Sequence, residues 1–159
     1  MGIKCCWYYD SPIGKLFIGE EDGAVVRLDF EGGNKAEAMQ EFELRETVLI
    51  RRAGKQLKEY FAEKRREFDL PLVFEGTDFQ RKVWGALLTI PYGETRSYGE
   101  IAAQVGNPKA ARAVGMANNR NPIAIICPCH RVIGADGSLV GFGGGLPTKQ
   151  FLLDLEAGG

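Results

Sequence analysis

Apolar and polar residues alternate along three short segments near the start of the chain, and this alternation predicts β-strands. The segments run from Cys5 to Tyr9, from Lys15 to Gly19 and from Ala24 to Phe30. Turn-forming residues separate them at residues 11–14 and again at residues 21–23. Connections this short join antiparallel neighbours, so the pattern predicts a three-stranded antiparallel meander.

After the third strand the apolar residues follow the period of a helix. We expect a mostly polar helix from Ala36 to Phe42, after a break at residues 32–34, and then a longer helix. The apolar residues of the longer helix recur every three or four positions: Val48, Leu49, Ala53, Leu57, Tyr60 and Phe61. The basic residues between Arg51 and Lys58 are typical of a solvated helix face, and we assign them no function.

A connection at residues 71–77 separates two regions of different pattern. We expect a small α/β domain over residues 1–75 and a mostly helical domain over residues 76–159. Thr77 or Asp78 suits the N-cap of the first helix of the second domain. Its apolar face is predicted to consist of Phe79, Val83, Trp84, Leu87 and Leu88.

Two further short helices are predicted around a Gly-containing turn. Ser97 and Glu100 have the spacing of a capping box at the start of the first helix. Asn107 as N-cap, followed by a proline, predicts a second helix from Lys109 to about Asn118. The pair forms a helix-turn-helix, and its second helix is rich in alanine and glycine. Such small residues suit close approach to a nucleic-acid groove or to another helix, and the residues alone favour neither.

The apolar run from Ile123 to Cys127 predicts a buried strand that leads into residues 128–132, Pro-Cys-His-Arg-Val. Here Cys129 lies beside His130, the single histidine of the chain. A cysteine is a nucleophile only as the thiolate. Adjacent side chains of an extended segment point to opposite sides, so the two could couple only if the backbone bends or a water bridges them. From these residues alone, a buried core thiol and a catalytic thiol both stay open.

Composition and charge narrow the classes of function. A chain of 159 residues with 45% apolar residues suits one compact domain or two small ones. The net charge of -1 argues against a strongly basic nucleic-acid protein. Residues 101–135 nevertheless contain no acidic side chain, and their basic residues are Lys109, Arg112, Arg120 and Arg131. A local basic face of this kind can contact phosphates.

The cysteines and the lack of targeting signals predict a cytoplasmic location. No stretch is long and apolar enough to span a membrane, and the first residues lack a secretory pattern. The four cysteines are then expected to be reduced, and Cys5 and Cys6 to be strand residues. The spacing of the cysteines does not match that of zinc sites, so no metal is expected.

Several motifs between residues 79 and 156 follow one another in a recognisable order. They are Ser-Tyr-x-x-Ile-Ala at 97–102, Gly-Asn-Pro-Lys-Ala-Ala-Arg-Ala-Val-Gly at 106–115, Asn-Pro at 121–122, Pro-Cys-His-Arg-Val at 128–132 and Gly-Gly-Leu at 144–146. In these motifs the chain resembles the O6-alkylguanine-DNA alkyltransferases, the methylated-DNA–protein-cysteine methyltransferases. The resemblance implies an α+β fold: a small N-terminal RNase H-like α/β domain with an antiparallel three-stranded sheet, and a C-terminal helix-turn-helix (winged-helix-like) domain that holds the active site.

The resemblance also implies a reaction and its residues. The reaction is direct-reversal DNA repair, in which Cys129 takes the alkyl group from O6-alkylguanine in double-stranded DNA, irreversibly and once per molecule, after base flipping. His130 would deprotonate Cys129 through a water, and Glu156 would orient the imidazole. Tyr98 would offer a proton to the leaving purine, and Asn121 would hold the turn before the active site. No cofactor is expected.

By the same resemblance, the helix-turn-helix lies in the minor groove and Arg112 fills the gap that the flipped base leaves. The other expected DNA contacts are Ser97, Tyr98, Lys109, Ala110, Ala111 and Arg120. The base pocket would be lined by Ala124, Val132, Phe142 and Gly143. The contacts would be mainly to phosphates, and the protein is expected to be monomeric, with cooperative DNA binding left open.

Departures from the family pattern leave some points open. Cys127 stands where the family has an aliphatic residue, and could be a second thiol or an apolar core residue. Phe142 and Gly143 differ from some members, so the preferred size of the alkyl group and activity on O4-alkylthymine are undecided. The rival functions are a non-catalytic lesion sensor of the same fold, a helix-turn-helix transcription regulator and a Cys-His hydrolase. Sensors of that kind lack the cysteine, which argues against the first.

Overall fold

The computed structural model describes residues 2–30, 40–142 and 144–158, in two units that meet between Phe74 and Glu75. The first unit contains β1 (Lys4–Tyr9), β2 (Leu16–Glu21), β3 (Ala24–Phe30), β4 (Glu43–Leu44) and α1 (Val48–Phe61). The second contains α2 (Asp78–Leu87), β5 (Arg96–Ser97), α3 (Tyr98–Gln104), α4 (Ala111–Asn119), β6 (Val132–Ile133) and α5 (Leu146–Glu156). The expected helix from Ala36 to Phe42 falls largely on residues 31–39, outside the described part of the chain.

The first unit is a four-stranded sheet packed against α1. Strands β1, β2 and β3 form the predicted antiparallel meander, with Trp7 opposite Ile18 in the register of β1 and β2. A fourth strand, β4, was not predicted: it is two residues long and pairs parallel to β1, which gives the order β3-β2-β1-β4. Cys5 and Cys6 are buried strand residues, as expected. The apolar side of α1 packs on the sheet through Ile50, Ala53, Leu57 and Tyr60.

In the second unit, α2 begins as predicted. Thr77 is its N-cap, and a capping box with Gln80 satisfies two backbone N–H groups. Trp84 is buried, and its Nε1–H donates to the Ala117 carbonyl at 2.8 Å, which ties α2 to α4. The predicted apolar face extends too far, because Leu88 lies beyond the last helical residue and is 44% exposed.

The two helices predicted for a helix-turn-helix are present as α3 and α4, with a correction to the start of the second. The capping box of Ser97 and Glu100 at the start of α3 is confirmed. Asn107 does not cap α4: its carbonyl accepts the Ala110 N–H at 2.9 Å in a turn, and α4 begins only at Ala111. A Cβ on Gly115 would lie 3.8 Å from the Tyr98 ring, which is an ordinary van der Waals contact, so alanine would also fit where α4 faces α3.

The predicted strand from Ile123 to Cys127 is wrong. The segment is buried throughout, but it is a series of tight turns, with Cys127 N–H donating to the Ile123 carbonyl at 2.9 Å. Ile125 has a φ of 67°, a left-handed conformation that is rare for a β-branched residue. The side chain of Asn121 supplies hydrogen bonds that a strand partner would otherwise supply, because its Nδ2 donates to the Cys127 carbonyl at 2.8 Å.

The turns lead to a small parallel sheet of β5 and β6, in which Arg96 pairs with Val132 and Ser97 with Ile133. This sheet fixes the start of α3 beside the segment that follows Cys129. Among the helices of the described residues, none combines the length and the apolar character that a membrane crossing requires.

Candidate active site

Cys129 lies in a single turn of 3₁₀-helix, Cys129–Arg131, that follows Pro128. The residue is buried, with 5% of its surface exposed. Its N–H donates to the Cys127 carbonyl at 2.8 Å, and the Arg131 N–H donates to the Pro128 carbonyl at 3.0 Å. These bonds bend the backbone on both sides of the cysteine. A bend was one of the two conditions under which Cys129 and His130 could couple, and the structure meets it.

Glu156, the last residue of α5, is the centre of a buried network. Nε2 of His130 lies 2.7 Å from its Oε2. Arg131 donates from Nε to Oε1 at 2.7 Å and from Nη2 to Oε2 at 3.0 Å. The guanidinium also donates from Nη1 to the Ile90 carbonyl at 2.7 Å, so both of its ends are held. The structure thus brings His130 and Glu156 together and adds Arg131, to which the sequence analysis assigned no catalytic role.

The network sets the charges of its members. Burial by itself would raise the pKa of Glu156, but the hydrogen bonds from His130 and Arg131 outweigh it and hold the pKa well below the usual range. Burial lowers the pKa of His130 from its ordinary value of 6.5; the contact with Glu156 opposes this, and the charges of Arg131 and Lys149 add to it. At neutral pH the carboxylate is therefore ionised and the imidazole is neutral.

The contact with Glu156 also fixes the tautomer of His130. An ionised carboxylate only accepts hydrogen bonds, so the single imidazole proton lies on Nε2 and points to Glu156. Nδ1 then carries a lone pair; it is buried and has no hydrogen-bond partner among the described residues. A neutral imidazole in this state, one residue after Cys129, can accept a proton.

Lys149 lies in the site, although the sequence analysis assigned it no role. It is fully buried in α5, and its ammonium donates to the Val132 carbonyl at 2.6 Å and to the Val140 carbonyl at 3.1 Å. Burial lowers the pKa of Lys149, and negative charge on Cys129 opposes that change, which places the ammonium within electrostatic range of the sulfur. Its position in the last helix was the only sequence signal, because periodicity does not reveal a buried lysine.

Tyr98 begins α3, half-buried, close to the same sulfur. Burial raises the pKa of Tyr98, and negative charge on Cys129 raises it further. Its hydroxyl donates to the Val140 carbonyl at 2.8 Å, the same carbonyl that accepts from Lys149. Cys129, Lys149 and Tyr98 therefore form one electrostatic group, with a thiol, a cation and a hydroxyl.

The residues expected to line a base pocket are placed unequally. Ala124 and Val132 are buried, and Phe142 is partly exposed. The Val132 carbonyl is occupied by Lys149. Gly143 lies outside the described residues.

Two asparagines hold the backbone of the site. Asn121 donates to the Cys127 carbonyl and accepts the Ile123 N–H at 3.0 Å, so it closes the turn in which it was expected to act. Asn118, at the end of α4, donates to the Cys129 carbonyl at 3.3 Å. The buried side chain of Asn118 thereby connects α4 to the backbone of Cys129.

The residues expected to contact DNA fall on and around α4. Arg112 is exposed on the first turn of the helix, next to Ala111. Lys109 and Ala110 lie in the turn before it, which corrects their predicted place on the helix, and Arg120 follows its end. Ser97 caps α3. The three basic side chains of this set are all exposed.

Cys127, two residues before Cys129, is an inert thiol. It is fully buried, and its Sγ–H donates to the Trp84 carbonyl at 3.6 Å. Burial raises the pKa of Cys127 well above its ordinary value, and negative charge on Cys129 adds to this. The structure therefore supports the interpretation of Cys127 as an apolar core residue and not as a second reactive thiol. Within residues 2–30, 40–142 and 144–158, no three His, Cys, Asp or Glu side chains converge as metal ligands.

Two family models match the chain. The one described as 6-O-methylguanine DNA methyltransferase, ribonuclease-like domain, matches residues 5–74. The one described as 6-O-methylguanine DNA methyltransferase, DNA binding domain, matches residues 78–158. Together they cover nearly all of the chain.

Individual proteins agree with the family models. The chain is 51% identical over 148 residues to a methylated-DNA–protein-cysteine methyltransferase of Methanosarcina acetivorans, which covers 93% of this chain and 95% of that protein. It is 49% identical over 151 residues to the constitutive methylated-DNA–protein-cysteine methyltransferase of Bacillus subtilis, with 92% of each covered. The crystal structure of the Mycobacterium tuberculosis O6-methylguanine methyltransferase superposes with a TM-score of 0.92 at 49% identity, over 98% of this chain and 94% of that one. A structure of the M. tuberculosis protein in complex with DNA gives 0.89 at 50% identity, over 96% and 92%.

Proposed function

This chain belongs to the 6-O-methylguanine DNA methyltransferase family, and from that premise we propose that Cys129 is the residue that accepts the alkyl group. The activity is DNA repair by transfer of an alkyl group from DNA to a cysteine of the protein, and DNA is the partner. The observation that carries the assignment is the neutral His130, held by Glu156 one residue after Cys129 in a bent backbone.

The other cysteines are poorly suited to this role. Cys5 and Cys6 are buried in β1, outside the part of the chain that matches the DNA-binding domain. Cys127 is buried, its thiol donates to a backbone carbonyl, and burial raises its pKa, so it stays protonated. Cys129 alone has a base beside it and a cation within electrostatic range.

The first step is the removal of the Cys129 proton. We infer that it passes through one water to the lone pair on Nδ1 of His130, whose Nε2–H remains bonded to Glu156. The imidazolium that forms is stabilised by the ionised carboxylate, and the thiolate by the fixed ammonium of Lys149. Arg131 keeps Glu156 ionised, because it gives that carboxylate two charge-assisted hydrogen bonds.

The second step is a direct displacement on O6-alkylguanine. The sulfur of Cys129 forms a bond to the alkyl carbon, the bond from that carbon to O6 breaks, and its electron pair leaves with the purine. Tyr98, whose hydroxyl lies in the same group, supplies a proton to the purine. The proton held by His130 then returns through water to the phenolate of Tyr98, whose raised pKa favours the phenol. The products are S-alkylcysteine, an unmodified guanine and neutral His130 and Tyr98, so atoms and charge balance. A thioether has no ready hydrolysis route, and each molecule therefore reacts once.

The buried position of Cys129 requires the base to come to the protein. O6 of a paired guanine lies within the duplex stack, so the nucleotide must rotate out, at a cost of a few kcal/mol. We infer that Arg112, which is exposed on α4, fills the space left behind and that the exposed Lys109 and Arg120 contact phosphates. Asn118 joins this helix to the backbone of the nucleophile.

We further propose a domain organisation, an oligomeric state and a cellular location. Residues 1–75 form the RNase H-like domain, and residues 76–159 form the domain that binds DNA and reacts. All groups proposed for the chemistry lie between Tyr98 and Glu156 of one chain, which favours a monomer as the reacting species. The cysteines are all free, and this favours the reducing cytoplasm.

The test is a single-turnover transfer assay with duplex DNA containing methyl-labelled O6-methylguanine. We expect one equivalent of label to become acid-stable on the protein, and mass spectrometry of peptides to find it on Cys129. Cys129→Ala should take up no label and still bind the duplex. Cys127→Ala is the matched control and should take up one equivalent. Label on the Cys129→Ala protein would refute the assignment, and binding without any transfer by the unmodified chain would indicate a lesion sensor.

A further inference from the structure

A second candidate binding site lies entirely in the first unit, between α1 and the turn that joins β1 to β2. It is a cleft of about 660 Å³, a volume within the range of about 300–1,000 Å³ typical of ligand sites. Its floor and sides are mostly apolar, with Pro12, Leu16, Leu57 and Phe61 among the lining residues. No residue proposed for alkyl transfer takes part in it.

The rim of the cleft is cationic. Arg51, Lys55 and Lys58 line it, and their spacing of four and three residues places them on one side of α1. Arg51 has a partner, since its Nη2 lies 3.6 Å from a carboxylate oxygen of Glu46. Neither lysine forms an ion pair with any residue in the described ranges. Asp10 is the one acidic residue of the lining, so the cleft combines an apolar floor with unbalanced positive charge.

One wall of the cleft is held rigidly. The hydroxyl of Tyr9 donates to the carboxylate of Glu46, which fixes the outer end of the ring. The face of the ring lies against the backbone of α1 at Gly54, where a Cβ would come within 2.6 Å of the ring carbons. Any larger residue at position 54 would push Tyr9 away. The helix glycine, destabilising in itself, is thus required for the shape of the wall.

We propose that this cleft binds an acidic peptide segment of a partner protein, which inserts a bulky apolar side chain between Tyr9 and Phe61 and places carboxylates against Lys55 and Lys58. The apolar lining needs an apolar group to fill it, and the two lysines need negative charge beside that group. Duplex DNA does not present this combination, because its phosphates lie outside and its bases are stacked within. An acidic peptide with an apolar anchor presents both, and the rim charges would speed its association at low salt.

The experiment measures the anisotropy of a short fluorescein-labelled peptide in which one phenylalanine is flanked on both sides by aspartates, with the full chain as titrant. We expect saturable binding that weakens with added salt. Replacing the phenylalanine by serine, or the aspartates by lysines, should weaken binding about tenfold or more in each case. Equal binding of either changed peptide would overturn the proposal, as would no saturable binding of the original one.

Matched variants locate the binding. Lys58→Glu should weaken binding about tenfold, whereas Lys64→Glu, an exposed change of the same charge outside the cleft, should leave it unaltered. Alkyl transfer should be equal in both variants, and Cys129→Ala should bind the peptide like the unmodified chain, so failure here is distinct from failure of the proposed reaction. Equal loss in both lysine variants would show that only net charge matters and would contradict the proposal. Ala62→Trp, which fills the cleft from its rim, should also abolish binding.

Discussion

The contact between Arg131 and Glu156 allows a quantitative test of the active-site network. Both side chains are buried, at 8% and 1% exposure, and two hydrogen bonds of 2.7 and 3.0 Å join them. Removing one member of a buried pair leaves a charge without compensation and costs about 3–5 kcal/mol. We therefore expect Glu156→Gln to lower the free energy of unfolding by about that amount.

Arg131→Met should lower the free energy of unfolding less than Glu156→Gln does. The double variant should lose less stability than the sum of the two single losses. In Arg131→Met, a protonated His130 can still compensate the charge of Glu156, so the loss should be smaller. The double variant carries neither charge. It should be no less stable than Glu156→Gln, which corresponds to a coupling energy of about 2 kcal/mol or more. The lost bond from Arg131 to the Ile90 carbonyl occurs in both backgrounds and cancels in the cycle.

The pH dependence of stability in Arg131→Met separates an electrostatic effect from a general loss of packing. Without the guanidinium, one of the charges that lower the pKa of His130 is gone, and this pKa should be higher than in the unmodified chain. Protonation of His130 at low pH then costs the folded variant less stability than it costs the unmodified chain. Arg131→Met should therefore be closer to the unmodified chain in stability near about pH 5.5 than near about pH 8. The transfer rate of Arg131→Met should instead be closer to that of the unmodified chain near about pH 8 than near about pH 5.5, because protonated His130 cannot accept a proton.

The measurements are urea unfolding of the four proteins at several pH values, and single-turnover label transfer over the same range. The exposed pair Asp78 and Arg81 on α2 is the control, and its cycle should give a coupling below about 0.5 kcal/mol. Additivity within about 0.5 kcal/mol for Arg131 and Glu156 would refute the reasoning. So would a transfer profile for Arg131→Met that matches the unmodified chain at every pH.

Four further outcomes are expected. Lys149→Met should slow methyl transfer about 100-fold in single-turnover assays, because the thiolate loses its fixed cation; an unchanged rate would remove Lys149 from the mechanism. Asn121→Ala should lower the free energy of unfolding in urea by at least about 2 kcal/mol, since two backbone groups lose their partners. Arg112→Ala should slow reaction with duplex DNA at least about tenfold while reaction with free O6-methylguanine stays constant, and equal losses would contradict the finger role. The free energy of unfolding should fall as pH drops below about 6.5, because His130 binds a proton more readily in the unfolded chain than in the folded one. It should fall again below about pH 4.5, because the same is true of Glu156.

Local chemistry explains where the sequence was a good guide to the fold. A capping box joins residues three positions apart, so it can be predicted from the sequence alone. This holds for Ser97 with Glu100 and for Thr77 at the start of α2. The meander of β1 to β3 was predicted for the same reason, since its turns and alternation are local.

Long-range contacts explain where prediction failed. The run from Ile123 to Cys127 has the composition of a strand, but its hydrogen bonds come from Asn121 and from its own turns. Asn107 has the chemistry of an N-cap, yet α4 begins later because Asn107 lies in a turn that closes on Ala110. The burial of Lys149 depends on the Val132 and Val140 carbonyls, which no helical period could indicate.

The Val140 carbonyl, which accepts from both Tyr98 and Lys149, has a consequence for the timing of the reaction. If the phenol turns toward an arriving purine, the ammonium stays behind and that oxygen is not left bare. The tyrosine can therefore change partners without the penalty that normally locks a polar group in place. If Tyr98 is the acid of the proposed reaction, its hydroxyl stays bonded to Val140 until a substrate arrives, and breaking that bond then costs little free energy.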